Sequence, residues 1–223
     1  MGRVLEPVLR VGLAEIDGLL RGQEDVAPPS WRRLLVVGIA GGLLYGGVMG
    51  SYGLQPLQAV YSALKVPLLV GVATLVCLPN FYTVNSVLGL REDFPLAMRA
   101  ILTAQGTVAV VLASLAPLTA FLYASISEYG LAVAANGGLF LVAALAGQVT
   151  LSRRYRPLIA ANPRHRLGRA AWLTLYIFVA IQMAWVLRPF IGDPRLPTRF
   201  FRSGAWGNAY VEVAELLWNL LVR

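Results

Sequence analysis

Seven amide and phenol side chains stand out as candidates within the long uncharged stretches of this sequence: Asn80, Tyr82, Asn85, Gln105, Asn136, Gln148 and Gln182. Amides and phenols in such places can line a path for water, a lipid or a small neutral solute. They can also tie one helix to another, an interaction worth on the order of 1 kcal/mol in a membrane. A second chemically able group is the run 152–169, which carries Arg153, Arg154, Arg156, Arg164, Arg166 and Arg169, the chain's only histidine, His165, and no acid. Six cations beside an anionic leaflet are worth at best about 1 kcal/mol each, so the run suits lipid headgroups or an acidic partner. The same composition serves equally as a signal that keeps a loop in the cytoplasm. A third group is packing chemistry: Gly38, Gly42, Gly46 and Gly50 stand four apart and make one flat helix face that another helix, of this chain or of a second one, can approach closely.

The usual signatures of catalysis are missing. There is no pair of carboxylates in an apolar stretch, no His-Glu zinc helix, no nucleophile elbow and no phosphate-binding glycine loop. His165 stands among cations and would have to borrow every other ligand for a metal site, so no metal and no cofactor is expected. Cys77, the single cysteine, lies in an apolar stretch and reads as a packing residue. An enzyme would need a cavity, and Tyr82, Arg188 and Asp193 are the side chains to look for around it.

These residues are set in five windows without Asp, Glu, Lys, Arg or His, at 34–64, 66–90, 100–127, 129–152 and 170–187. Each is about long enough to cross a hydrocarbon core of roughly 30 Å as a helix. Charged residues are 13% of the chain, against about 25% in an ordinary soluble domain. That deficit is what burial in lipid requires. The expected fold is all-α: a polytopic bundle with spans near 34–52, 66–86, 100–123, 130–151 and 170–187. It is flanked by a segment 1–30 with an amphipathic helix and a tail 191–223 with another. Pro79 is expected to kink or end the second span, with Asn80, Tyr82, Thr83, Asn85 and Ser86 satisfying the freed backbone and capping the helix that leads into Arg91. Lys65 is placed in the connection between the first two spans, and 152–169 in a loop before the fifth.

The net charge of +8 does not point to nucleic acid, because the basic residues follow the connections and form no stripe with interleaved aromatics. Thirteen arginines occupy the odd-numbered polar segments, and six basic residues the even-numbered ones. By the positive-inside rule the N-terminus is cytoplasmic and the C-terminus outside. Residues 4–22 place Leu5, Leu9, Leu13, Ile16 and Leu20 on one helical face. Near the other end, Tyr210, Val213, Ala214, Leu217 and Leu221 oppose Glu212, Glu215 and Asn219. Both read as helices lying on a membrane surface or on a partner.

The order of parts, from amphipathic N-terminus through five spans and a basic segment before the fifth, resembles that of Yip-type membrane proteins, which in eukaryotes interact with Rab GTPases, and their small bacterial relatives. It covers about residues 30–187 and is one of topology and length. The Asp-Leu-Tyr-Gly-Pro signature of the eukaryotic family has no counterpart here, so no functional residue is carried across and Rab binding is not implied. The stretch from Trp185 to Gly192 is similar to the final span and exit of uncharacterised bacterial polytopic proteins, which implies a bacterial inner membrane. The favoured reading is a noncatalytic membrane scaffold or accessory subunit, partnered by lipids and by another membrane protein or a second copy. The alternative is a permease or channel subunit for a neutral or lipid-like solute.

Overall fold

The structure, a computed structural model, describes residues 31–193, 195–202, 207–211 and 218. The amphipathic segment 4–22 and most of the C-terminal helix, including Glu212 and Glu215, lie outside them. Five helices form the bundle: α1 (Trp31–Gly50), α2 (Pro56–Val87), α3 (Phe94–Ser125), α4 (Tyr129–Ala161) and α5 (His165–Leu187). All five are long and apolar enough to cross a membrane. The chain is thus an integral membrane protein built as an all-helical bundle. At 1.5 Å per residue, the 32 residues of α2 and of α3 and the 33 of α4 run to about 50 Å, well beyond a hydrocarbon core of about 30 Å, so these helices tilt or project past it.

Successive helices alternate in direction, which gives the bundle two ends. The turns 88–93 and 162–164 share one, here the arginine end. The turns 51–55 and 126–128 share the other with the tail 188–202, here the cap end; Tyr52 Oη donates to the Ser127 carbonyl across it at 3.0 Å. Packing follows the order α4, α3, α1, α2, α5, with little contact between α2 and α3, which α1 separates. In the cap half, Tyr45, Met49 and Tyr52 of α1 and its following turn pack with Val66, Leu112, Ala116, Ala132, Ala143 and the tail's Ile191. In the arginine half, Trp172 of α5 packs with Cys77, Phe81, Ile101, Leu151 and Tyr155. The remaining helix surfaces display Val36, Leu75, Phe121, Leu141 and Phe178, the outward apolar coat that lipid demands.

Three boundaries differ from the sequence reading. The first uncharged window holds two helices, because Gly53 (φ 70°) and Leu54 (φ 56°) turn the chain within five residues. Lys65 therefore lies inside α2 and not in a connection. Neither Pro67 nor Pro79 ends α2, which runs on to Val87. Thr83, Asn85 and Ser86 spend their side chains on the carbonyls four residues back, at Pro79, Phe81 and Tyr82, and cap nothing. The stop comes from Gly89 at φ 73°: its N–H bonds the Ser86 carbonyl while that of Leu90 bonds the Asn85 carbonyl, the Schellman arrangement that a glycine makes inexpensive. The basic run is also helical. The apolar part of α4 ends at Leu151, but the helix continues through Arg153, Arg154 and Arg156 to Ala161, and α5 begins at His165, leaving three residues as the turn.

Candidate functional site

The predicted polar pathway does not assemble. Asn136 is buried between helices, where its Oδ1 accepts from Tyr45 Oη at 3.0 Å and its Nδ2 donates to Tyr123 Oη at 2.8 Å. Gln105 Oε1 accepts from Tyr176 Oη at 3.3 Å, joining α3 to α5. Gln182 brackets the chain after the cap, donating to the Gly207 carbonyl and accepting from the Ala209 N–H. Asn80 and Tyr82 are exposed near the arginine end, Asn85 is buried there, and Gln148 is half-buried on α4. Asn136, Gln105 and Gln182 are separate fasteners, each with its own partners. Nor do Tyr82, Arg188 and Asp193 converge: Tyr82 is 24 residues past Gln58 along α2, about 36 Å of helix, while 188–193 pack beside Gln58.

The glycine face is used within the chain. A Cβ at Gly42 would meet Pro67 at 3.2 Å, one at Gly50 the Gln58 carbonyl at 2.6 Å, and one at Gly46 would run into the Ser62 backbone. Gly38 has open space beside it. Two further close approaches escaped the spacing argument: Gly41 against the Ala109 carbonyl and Gly147 against Val108. Both are single glycines without a partner four residues away on the same contact, so no pattern announces them.

At the arginine end, Arg153, Arg156, Arg164 and Arg166 are exposed, with Arg154 and Arg169 partly covered. Arg164 Nη1 reaches the Leu88 carbonyl at 3.4 Å. His165, read from sequence as a lone imidazole, is buried, and its Nε2 lies 3.0 Å from Asp93 Oδ2. The pair joins the α4–α5 turn to the α2–α3 turn. Asp93, at the start of α3, gives its carboxylate to His165 and makes no capping bond of its own. Among the described residues no group of three His, Cys, Asp or Glu side chains is placed to hold a metal.

The most elaborate polar construction is at the cap end. Gln58, Ser62 and Lys65 lie one turn apart on α2 and are fully buried, because the tail folds back over them. Gln58 Nε2 donates to the carbonyls of Pro189 and Phe190 at 3.1 Å, Ser62 Oγ donates to the Phe190 carbonyl, and Lys65 Nζ donates to the Pro189 carbonyl at 2.6 Å. The Lys65 ammonium also lies 4.9 Å from the centre of the Phe200 ring, which in turn packs on Tyr61. A lysine ten residues into a spanning helix is tolerable because its stem runs along the helix to carbonyls at the end. The tail presses its backbone onto α2 at Gly192, where a Cβ would stand 2.7 Å from Gln55 Oε1. Tyr129 Oη secures Ile191 at 3.1 Å, and Thr198 Oγ1 donates to Gln55 Oε1 at 3.0 Å.

Between tail and helices the cap frames a half-open cavity of about 520 Å³, walled by Gln55 just before α2, Gln58 of α2, Tyr129 of α4, and Asp193, Arg199 and Arg202 of the tail. The sequence reading did not pair the residues of 195–202 with Gln55, Gln58 and Lys65. The available signal was the polar i, i+3, i+4 and i+7 set Gln55, Gln58, Ala59 and Ser62, in which only Ala59 breaks the stripe. Comparison with family models, with curated proteins and with solved structures finds no match for this chain.

Proposed function

We propose that the protein is a noncatalytic scaffold or accessory subunit of a membrane assembly, acting through its surfaces and ends. The observation that carries this reading is the use made of the intramembrane amides. Asn136, Gln105 and Gln182 each tie their own helix to another helix or to the chain after the cap, as structural fasteners do. A conduit would need such groups to face one continuous space, and an enzyme would need reactive groups gathered at one cavity. The partner is another membrane protein or a second copy of the chain. The Yip-type order of parts, itself a likeness of topology, agrees with that role.

The glycine face of α1 no longer supports an interface between chains, since Gly42, Gly46 and Gly50 are covered by α2. The partner surface is sought instead at the arginine end and along the outer α1 strip of Val36, Ile39 and Leu43 beside open Gly38. We also propose that the membrane is a bacterial inner membrane with the N-terminus inside, on the arginine bias. Extraction in mild detergent tests the assignment. An assembly heavier than the 24.1 kDa chain with its detergent, or a stoichiometric copurifying membrane protein, is expected. A monodisperse monomer without a companion polypeptide would refute it.

A further inference from the structure

The cap cavity holds chemistry that the scaffold reading does not use. Arg199 and Arg202 reach it with exposed side chains, and neither guanidinium has a carboxylate partner among the described residues. Lys65 lies behind the same wall, also without a carboxylate partner among those residues. Among the described residues Asp193 is the only acid in the lining, and its Oδ1 accepts from the Arg195 N–H at 2.9 Å. The local field is therefore positive and suited to an anion.

Gln58 adds a second demand. Its side chain is fully buried, its Nε2 is engaged by the tail carbonyls, and its Oε1 has no donor. A buried acceptor without a donor costs about 1–3 kcal/mol, so an occupant that brings a hydroxyl or ammonium is favoured over a bare anion. A volume of about 520 Å³ is in the range that small-molecule sites occupy and exceeds what one phosphate needs. Apolar side chains border this end: Leu196 lines the cavity at 63% exposure, and Leu54 and Leu57 flank Gln55 and Gln58 in sequence at 92% and 50%. Leu54 holds φ at 56°, a left-handed conformation that costs a leucine about 1–2 kcal/mol, while displaying its side chain outward.

We propose that this cavity binds the phosphodiester headgroup of a glycerophospholipid. The phosphate sits on Arg199 and Arg202, the hydroxyl or ammonium beyond it donates to Gln58 Oε1, and the acyl chains leave over Leu54, Leu57 and Leu196. The site does not depend on the scaffold assignment, which concerns other surfaces.

Binding to the purified full-length protein in detergent tests it, using short-chain phosphatidylglycerol, phosphatidylethanolamine and phosphatidylcholine, with glycerol phosphate and inorganic phosphate as soluble probes. Phosphatidylglycerol and phosphatidylethanolamine should bind and raise the melting temperature. Phosphatidylcholine, which has no donor for Gln58, should bind several-fold more weakly. R199Q/R202Q should lower affinity by about tenfold or more, the loss expected for charge-assisted hydrogen bonds, while R91Q, in the exposed 88–93 turn at the far end, leaves it unchanged. Unliganded melting temperatures show whether each variant is folded; if the double variant is not, R199Q and R202Q singly carry the same comparison. Glycerol phosphate binding as tightly as the lipids would overturn the lipid assignment. Equal binding of phosphatidylcholine would overturn the role of Gln58, and an unchanged affinity in the arginine variants would overturn the site.

Discussion

Gly46 and Gly38 lie two turns apart on α1 and demand opposite things. At Gly46 a methyl group would meet the Ser62 backbone, which cannot swing aside as a side chain would. At Gly38 it would meet nothing, and alanine is the better helix former by about 1 kcal/mol. Gly46→Ala is therefore expected to lose about 1–3 kcal/mol of stability, the usual range for overpacking, and Gly38→Ala to lose none; thermal denaturation in detergent distinguishes them. A Gly42→Leu/Gly46→Leu variant would disrupt the monomer itself, so only the Gly38 side of α1 can report association between chains. His165 makes a second residue-scale case. Its Nε2 depends on Asp93 and its Nδ1 has no partner, so Asp93→Ala leaves a buried imidazole with no hydrogen bond at all. The expected cost is about 1–3 kcal/mol, again read as a fall in melting temperature. A small effect of that substitution would mean that water reaches the ring.

Between elements, the fastening is polar and was only partly legible in the sequence. The five helices could be read because a span needs about 20 apolar residues and shows them in order. Asn136 and Gln105 could be expected to join helices, though nothing in the spacing named Tyr45, Tyr123 or Tyr176 as their partners, 91, 13 and 71 residues away. Lys65 misled because one charge between two apolar runs looks like a loop; its anchor, the Pro189 carbonyl, is 124 residues distant. Pro79 does not end α2, because a lost backbone bond is tolerated in a packed membrane helix; Gly89, with its positive φ, sets the stop. Lys65→Met keeps the stem and removes the charge that holds the tail. It should leave the bundle helical, lower its stability by about 1–3 kcal/mol and speed tryptic cleavage at Arg195 and Arg199. Asn136→Leu is expected to cost about 1 kcal/mol, and the same loss should not recur when Tyr45→Phe and Tyr123→Phe are already present, as a double-mutant comparison of shared partners requires.

Across the whole molecule, five helices of alternating direction separate a cap end, where residues 188–202 fold over α2, from an arginine end, where Asp93 and His165 join two turns. The lipid site belongs to the first end and the arginine-bearing partner surface to the second, so both proposals require that the ends lie on opposite sides of one bilayer. Cysteine accessibility in sealed cells, in a Cys77→Ala background, measures this directly, with single cysteines at Ala161 and Arg164 for the arginine end and at Arg195 and Leu196 for the cap. All four positions are exposed. Impermeant maleimide should label Arg195→Cys and Leu196→Cys in intact cells, and Ala161→Cys and Arg164→Cys only after permeabilisation. Labelling of both pairs from the same side would contradict the five-span account.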